Sequence, residues 1–263
     1  MAPSPFALVT PGVTRGLGLG LTRQLLRNTK LPVFSTTRTK GDIDILKKNV
    51  LSDLNDVDPS RLNILQLDLT SEDSIASAAQ DLSKSIRDNN LSNAYIHSAY
   101  VTGGMLVPEK RPADLDWNTI QKTFQINVIS HLLIIKHFSQ FLPRPQDKVA
   151  RLSRWVHVSA RVGSIDDNRR GGWYSYRSSK AALNQVVKSF DLYLQQHKHP
   201  AMCIAMHPGT IKTDLSKDFW KSTEKDKLFE PQEAAAKMID VVESLSNEQR
   251  GQFWDWAGKR IEW

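Results

Sequence analysis

Short apolar runs alternate along the whole chain with longer stretches whose apolar residues recur at the spacing of a helix face. PFALVT, LPVFSTT, LNILQLDL, NAYIHSA, WVHVSA and AMCIAMH have the length and the β-branched or aromatic content of buried strands, and GQFWDW reads as a short last one. Between them, GLTRQLLRN, residues 43 to 54, TSEDSIASAAQDLSKSIRDN, residues 116 to 142, YSYRSSKAALNQVVKSFDLYLQQH and PQEAAAKMIDVVESL read as helices. Thr70 and an acidic first turn open the third of these, Pro143 stops the fourth, and Pro231 stands at the favoured first position of the last. Helical crossovers between buried strands predict an α/β fold, a doubly wound parallel sheet of about seven strands with helices on both faces.

Composition adds limits. A chain of 263 residues is about as long as one such sheet usually carries, so residues 1–263 read as a single domain. With 40% hydrophobic and 24% charged residues, no repeat and no low-complexity tract, the chain is ordinary globular protein. Its net charge of +7 is scattered, and no nucleic-acid signature accompanies it. The expectation is therefore no nucleic-acid partner, with the excess charge available to attract a polyanionic small cofactor. Cys203 is the only cysteine, which excludes an internal disulfide framework and fits a reducing compartment. The amino terminus lacks a basic leader, and LLII at 132 to 135 is typical of the longest apolar runs, so a cytoplasmic protein with no membrane association is expected. No metal site is expected.

Parallel α/β sheets bind ligands at the carboxyl ends of their strands, which directs attention to the residues just after 10, 38, 68, 98, 159 and 207. After the first strand, Gly12, Gly16 and Gly18 share a loop with Thr14, Arg15 and Leu17 between strand and helix. That placement lets the backbone turn tightly and approach a pyrophosphate at the helix amino end. Arg15 and Arg38 stand where an acidic residue would bind a ribose 2′-hydroxyl, and two arginines suit a 2′-phosphate instead, favouring NADP(H). Asp68 ends the third strand as either an adenine contact or a turn aspartate.

The glycine spacing, Asp68-Leu69, Asn127 in the long fourth helix, Tyr176-x-x-x-Lys180 and PGTIKTD at 208 to 214 occur in one order. That ordered set resembles the short-chain dehydrogenase/reductase superfamily over nearly the whole chain. RVGSI, GGWYSYRSSKAALN and GQFWDWAGKRIEW look most similar to the branch of C-signal, sniffer-type carbonyl reductases and many fungal enzymes. The resemblance implies a Rossmann-type fold and a nicotinamide cofactor touched by Gly12, Thr14, Arg15, Gly16, Leu17, Gly18, Arg38, Asp68, Leu69, His97, Ser98, Ala99, Asn127, Tyr176, Lys180, Pro208, Gly209, Ile211 and Thr213. It also implies that Tyr176 gives or takes the proton, Lys180 assists, and Asn127 fixes a helix bend and a water. Tyr176 and Lys180 lie one turn apart and share a helix face, and a neighbouring ammonium is expected to draw the phenol's pKa down. LSKDFWKSTEKDKLFEP reads as a lid with Phe219 and Trp220 as apolar substrate contacts, or as a plain solvated loop.

Three departures from the family pattern stand out. Pro11 interrupts the usual Thr-Gly start of the glycine loop. His97-Ser98-Ala99-Tyr100 replaces Asn-Asn-Ala-Gly, and Tyr100 is expected to narrow the room above the cofactor; His97 is as compatible with a buried structural role as with a cofactor contact. Ala160 occupies the position of the substrate-polarising serine, leaving Ser159, Ser164 and Asp166 as rivals, or the role vacant. The expected activity is NADPH-dependent reduction of a ketone or aldehyde on a small organic molecule. The alternatives are imine or iminium reduction, a cyclisation on the same fold, or a non-catalytic NADPH-binding sensor or partner. Surplus apolar residues in LLIIKHF and LNQVVKSF, with the family's habit of pairing there, predict a homodimer or homotetramer.

Overall fold

In the computed structural model, which describes residues 4–39, 41–91 and 93–263, the apolar runs form β1 (Ser4–Thr10), β2 (Val33–Thr37), β3 (Leu62–Gln66), β4 (Ala94–Val101), β5 (Ser153–Val158) and β6 (Ala201–His207). Short strands follow: β7 (Thr210–Ile211), β8 (Leu228–Phe229), β9 (Phe253–Asp255) and β10 (Arg260–Ile261). Eight of them make one sheet in the order β10-β9-β6-β5-β4-β1-β2-β3, parallel except for the β9–β10 pair, while β7 and β8 pair separately. The order reverses between β1 and β4, the point at which such sheets open a ligand crevice.

Helices α1 (Gly16–Asn28), α2 (Ile43–Leu51) and α7 (Pro231–Ser244) cover one face; α3 (Glu72–Asp88), α4 (Trp117–Phe124), α5 (Ser130–Phe138) and α6 (Tyr174–Gln196) belong to the other side. Leu21, Leu25, Met238 and Val242 fill the first layer; Ile75, Leu82, Ile134, Phe138, Val187 and Leu194 fill the second. Both sheet faces are buried, which is why the strands read as continuous apolar runs instead of alternating. No helix among the described residues is long and apolar enough to cross a membrane.

Several details differ from the sequence reading. The third helix is capped by Ser71, whose hydroxyl accepts from the Ser74 amide, and not by Thr70. The expected single helix over 116 to 142 is interrupted by a π-helical turn at Gln125–Ile129, with Asn127 fully buried inside it. Such turns frequently mark functional sites, because the widened backbone re-aims a side chain. β4 runs on to Val101, since Tyr100 and Val101 pair with Val9 and Thr10 on one side and with Val156 and His157 on the other. The strand end therefore lies at 101 to 104, three residues beyond the expected position.

Candidate functional site

At the carboxyl end of β1 a five-residue loop, 11–15, leads into α1. The first-turn amides of that helix are unpaired within it and carry its positive dipole end, a setting made for an anion. Gly18 is what permits the turn: a Cβ there would stand 2.1 Å from the Pro11 carbonyl oxygen. Gly12 is equally enclosed, its amide donating to the Thr36 carbonyl at 3.0 Å. Gly16 faces Thr213, so the glycine loop and the segment after β6 form the two lips of one cleft. Arg15 crosses that cleft to Asp214 at 2.7 Å, with both side chains almost fully exposed. Such a pair is worth little in water and yields readily to a competing anion.

Arg38 is exposed just past β2, and its charge contributes to holding the Asp68 carboxyl below the usual range. The main cause at Asp68 is local: its Oδ1 accepts from the Thr70 amide at 2.9 Å and from the Thr70 hydroxyl at 2.7 Å. Asp68 is thus a turn-forming aspartate whatever else it contacts. Leu69 packs on Gly103, beyond the end of β4. Pro208 and Gly209 carry the chain off β6 toward Ile211 and Thr213, and Gly209 has φ of +77°.

Tyr176 and Lys180 lie on the buried face of α6, 7% and 2% exposed. The first turn of α6 has no side-chain cap of its own; a Glu109 carboxylate oxygen accepts from the Ser175 amide at 3.0 Å, and the other accepts from the Ser175 hydroxyl. Glu109 is itself 2% exposed, and its carbonyl receives the Trp173 amide at 2.6 Å. Buried negative charge at the amino end of a long helix is favourable, and it fixes where that helix begins. Nothing in the sequence singled out Glu109, because its partner is 66 residues away and its own surroundings read as loop.

Lys180 Nζ donates to the Val158 carbonyl at 2.9 Å and lies 6.0 Å from the centre of the Tyr176 ring. Burial pushes the lysine down to about 7 and pushes the Tyr176 phenol up. The expectation that the ammonium would draw the phenol's pKa down is therefore not met. Desolvation of each group outweighs the attraction between their charged forms, and Lys180 is held on a carbonyl instead of the phenol oxygen. Asn127 receives the Met105 amide at 2.8 Å on Oδ1 and donates to the Met105 carbonyl at 3.0 Å and the Ser179 hydroxyl at 2.9 Å. It thereby ties the π turn, the segment after β4 and α6 together. Gly163 seals the other side of Lys180, where a Cβ would come within 2.6 Å of the lysine Cβ.

Ser159 donates to Asn184 Oδ1 at 2.6 Å and is buried, so its hydroxyl proton is already committed. Ser164 is also buried and accepts the Asp167 amide at 3.0 Å, closing the turn of its own loop. Asp166 and Asp167 are exposed; Asp167 approaches Arg161 at 3.7 Å, and the Asp166 amide donates to the Trp263 carbonyl. His97, Ser98 and Ala99 lie inside β4 and not at its end, with Ser98 and Ala99 buried. His97 occupies the register shift against Phe6 and Ala7 and approaches Glu243, at the end of α7, at 4.0 Å. Tyr100 does not narrow the space above a cofactor: its ring is fully buried in the α1–α7 layer.

Beside Tyr176 the site is aromatic. Trp173 meets the Tyr176 ring edge-on at 6.2 Å, and Phe219 lies 4.8 Å from Trp173. Phe219 comes from a short 3-10 turn, Lys217–Ser222, in the segment read as a lid, while Trp220 donates to Ser216 at 2.9 Å and so braces that turn.

Residues 5–224 match the family model described as short chain dehydrogenase, and the chain belongs to that family of oxidoreductases. An uncharacterized oxidoreductase of Schizosaccharomyces pombe is 28% identical over 95% of both chains. Among solved structures, the NADPH-bound carbonyl reductase from chicken fatty liver is 26% identical with a TM-score of 0.80 over the whole of both chains. The carbonyl reductase Sniffer of Drosophila melanogaster, 24% identical with the same TM-score and full coverage of both chains, shares the fold.

Proposed function

We propose that this protein is an NADPH-dependent reductase of ketones or aldehydes on small apolar, aromatic-bearing molecules. The observation that carries the reading is the juxtaposition of Tyr176 and Lys180, buried on one face of α6 at the strand ends where the glycine loop opens. A bound nicotinamide supplies the hydride. Tyr176 keeps its phenol proton because burial holds its pKa high, and the hydroxyl donates that proton to the carbonyl oxygen as negative charge develops there. Lys180, when protonated, offers donors to a ribose and stabilises the phenolate that remains. Arg38, with Arg15 released from Asp214, receives a 2′-phosphate. Trp173 and Phe219 supply the apolar wall.

With Ala160 at the serine position and the Ser159 proton committed to Asn184, Tyr176 is the main group polarising the carbonyl, and Ser164, which only accepts from the Asp167 amide, keeps its O–H free as a second donor. The exposed Asp166 and Asp167 give imine chemistry little support, since Asp167 lies by Arg161 at 3.7 Å and neither carboxylate is buried. The test follows NADPH absorbance against a panel of aryl ketones, aliphatic aldehydes and cyclic imines, with NADH in parallel. Aryl ketone turnover that is lost in Tyr176→Phe, with a preference for NADPH that falls in Arg38→Ala, is the expected result. Full activity in Tyr176→Phe overturns the mechanism, and no oxidation with any panel member favours a binding role. We further propose a homodimer or homotetramer formed through α4, α5 and α6, where Trp117 (70%), Leu132 (47%) and Tyr193 (47%) are exposed. A monomer by sedimentation refutes that assembly.

A further inference from the structure

Next to Lys180 runs a line of hydrogen bonds to which the proposed chemistry assigns no part. Trp155 Nε1 donates to His157 Nε2 at 2.9 Å; the Nδ1 atoms of His157 and His131 are 2.8 Å apart; His131 Nε2 lies 3.0 Å from the Gly103 carbonyl oxygen. Trp155, His157 and His131 are all fully buried. An indole N–H only donates and a carbonyl only accepts, so the direction of the line is forced. His157 must carry its proton on Nδ1 and donate it to His131 Nδ1, and His131 must carry its proton on Nε2 and donate to Gly103. Both rings are neutral, because a second proton on either would set two N–H groups against each other across one bond. Burial and the nearby Lys180 charge act in the same direction, pushing both imidazoles far below their usual range.

The line ends on an indole, which neither takes up nor releases a proton in this pH range, so it cannot conduct one. What it does is hold a carbonyl. The segment it holds, 102 to 105, is fastened on every side: the Thr102 amide donates to Thr10 at 2.8 Å, the Thr102 hydroxyl to the Pro11 carbonyl at 2.7 Å, and Met105 pairs with Asn127. Gly104, in its middle, faces the site so closely that a Cβ there would stand 3.5 Å from Lys180 Nζ and 3.8 Å from Asn127 Oδ1.

We propose that His131 and His157 are positioning residues, a neutral pair of fixed tautomer that holds the Gly103 carbonyl and thereby sets residues 102–105 against Lys180, the residue that would hold a cofactor's ribose. The geometry of the pair stands by itself, and its effect on cofactor binding rests on the NADPH reading above. Without it, Gly103 offers a buried, unpaired carbonyl that the chain must move to satisfy.

The variants His131→Leu and His131→Gln separate packing from hydrogen bonding, since glutamine can still donate to Gly103. In His131→Leu, NADPH affinity by fluorescence titration is expected to fall about tenfold and the Met105 amide to exchange faster with solvent, with His131→Gln recovering most of both. Independently, 15N spectra of the wild-type histidines should show the Nδ1–H tautomer at 157 and the Nε2–H tautomer at 131, unchanged from about pH 5 to about pH 8. That measurement decides the tautomers even if His131→Leu does not fold. Imidazolium signals in that range, the opposite tautomers, or a leucine variant with wild-type affinity and exchange would overturn the proposal. If the wild-type chain binds no NADPH, the cofactor reading fails, and exchange at Met105 together with the 15N spectra still decides whether the pair holds the segment.

Discussion

Lys180 is costly to the fold, and the cost has a definite pH dependence. Its pKa falls from 10.5 to about 7 on burial, so in the folded protein the charged form is the disfavoured one. Between those two values the unfolded chain binds more protons than the folded one, and stability therefore rises with pH. At about 1.4 kcal/mol per pKa unit, the penalty is about 5 kcal/mol at and below pH 7, shrinks to about 2 kcal/mol near pH 9 and vanishes above the unfolded pKa. Replacing Lys180 with methionine removes the penalty along with the hydrogen bond to Val158, which is worth about 1 kcal/mol. Lys180→Met is thus expected to be about 3–4 kcal/mol more stable than the wild type near pH 7, with most of that difference gone by pH 9.5. Urea unfolding of both proteins at a series of pH values measures the difference directly and cancels contributions from the other titrating groups. A methionine variant less stable than wild type at pH 7, or a difference independent of pH, would refute a desolvated Lys180.

Glu109→Ala removes the carboxylate at the start of α6 and leaves the Ser175 amide and hydroxyl unpaired in a buried place. A loss of about 2 kcal/mol in urea unfolding is expected, together with a lower kcat as Tyr176 loses its fixed position. An unchanged kcat at reduced stability would confine Glu109 to a folding role. Ser159→Ala should cost about 1 kcal/mol, because Asn184 loses its partner, and should leave kcat/KM unchanged; a large fall in turnover would give Ser159 the polarising role after all.

The order of strands and helices was legible because burial on both sheet faces makes each strand a short apolar run of its own. β10 was not, since Arg260–Ile261 pairs only with β9 and half of it is exposed. Tyr176 and Lys180 are legible from their one-turn spacing, but their electrostatics are not, because spacing gives proximity without giving burial. The end of β4 is not legible, because Tyr100 stands where a glycine would end the run, and a β-forming aromatic extends the strand to Val101. Glu109, His131 and His157 left no local signal: each acts through a partner brought near by the topology. The only available hint was that His157 and His131 sit within runs otherwise apolar enough to be buried, where a polar ring demands a partner.

One feature bears on how this protein could change. Gly171, Gly172 and Trp173 all have positive φ, and at Trp173 the value is +52°. That conformation costs a side chain unbranched at Cβ roughly 1–2 kcal/mol, and the fold already bears it. Exchanging Trp173 for phenylalanine, tyrosine or leucine, all unbranched at Cβ, therefore adds little new backbone strain, while it reshapes the wall beside Tyr176. Position 173 is an evolvable handle: substrate range can drift there by single substitutions, in nature or in a library, with α6 and its tyrosine left in place.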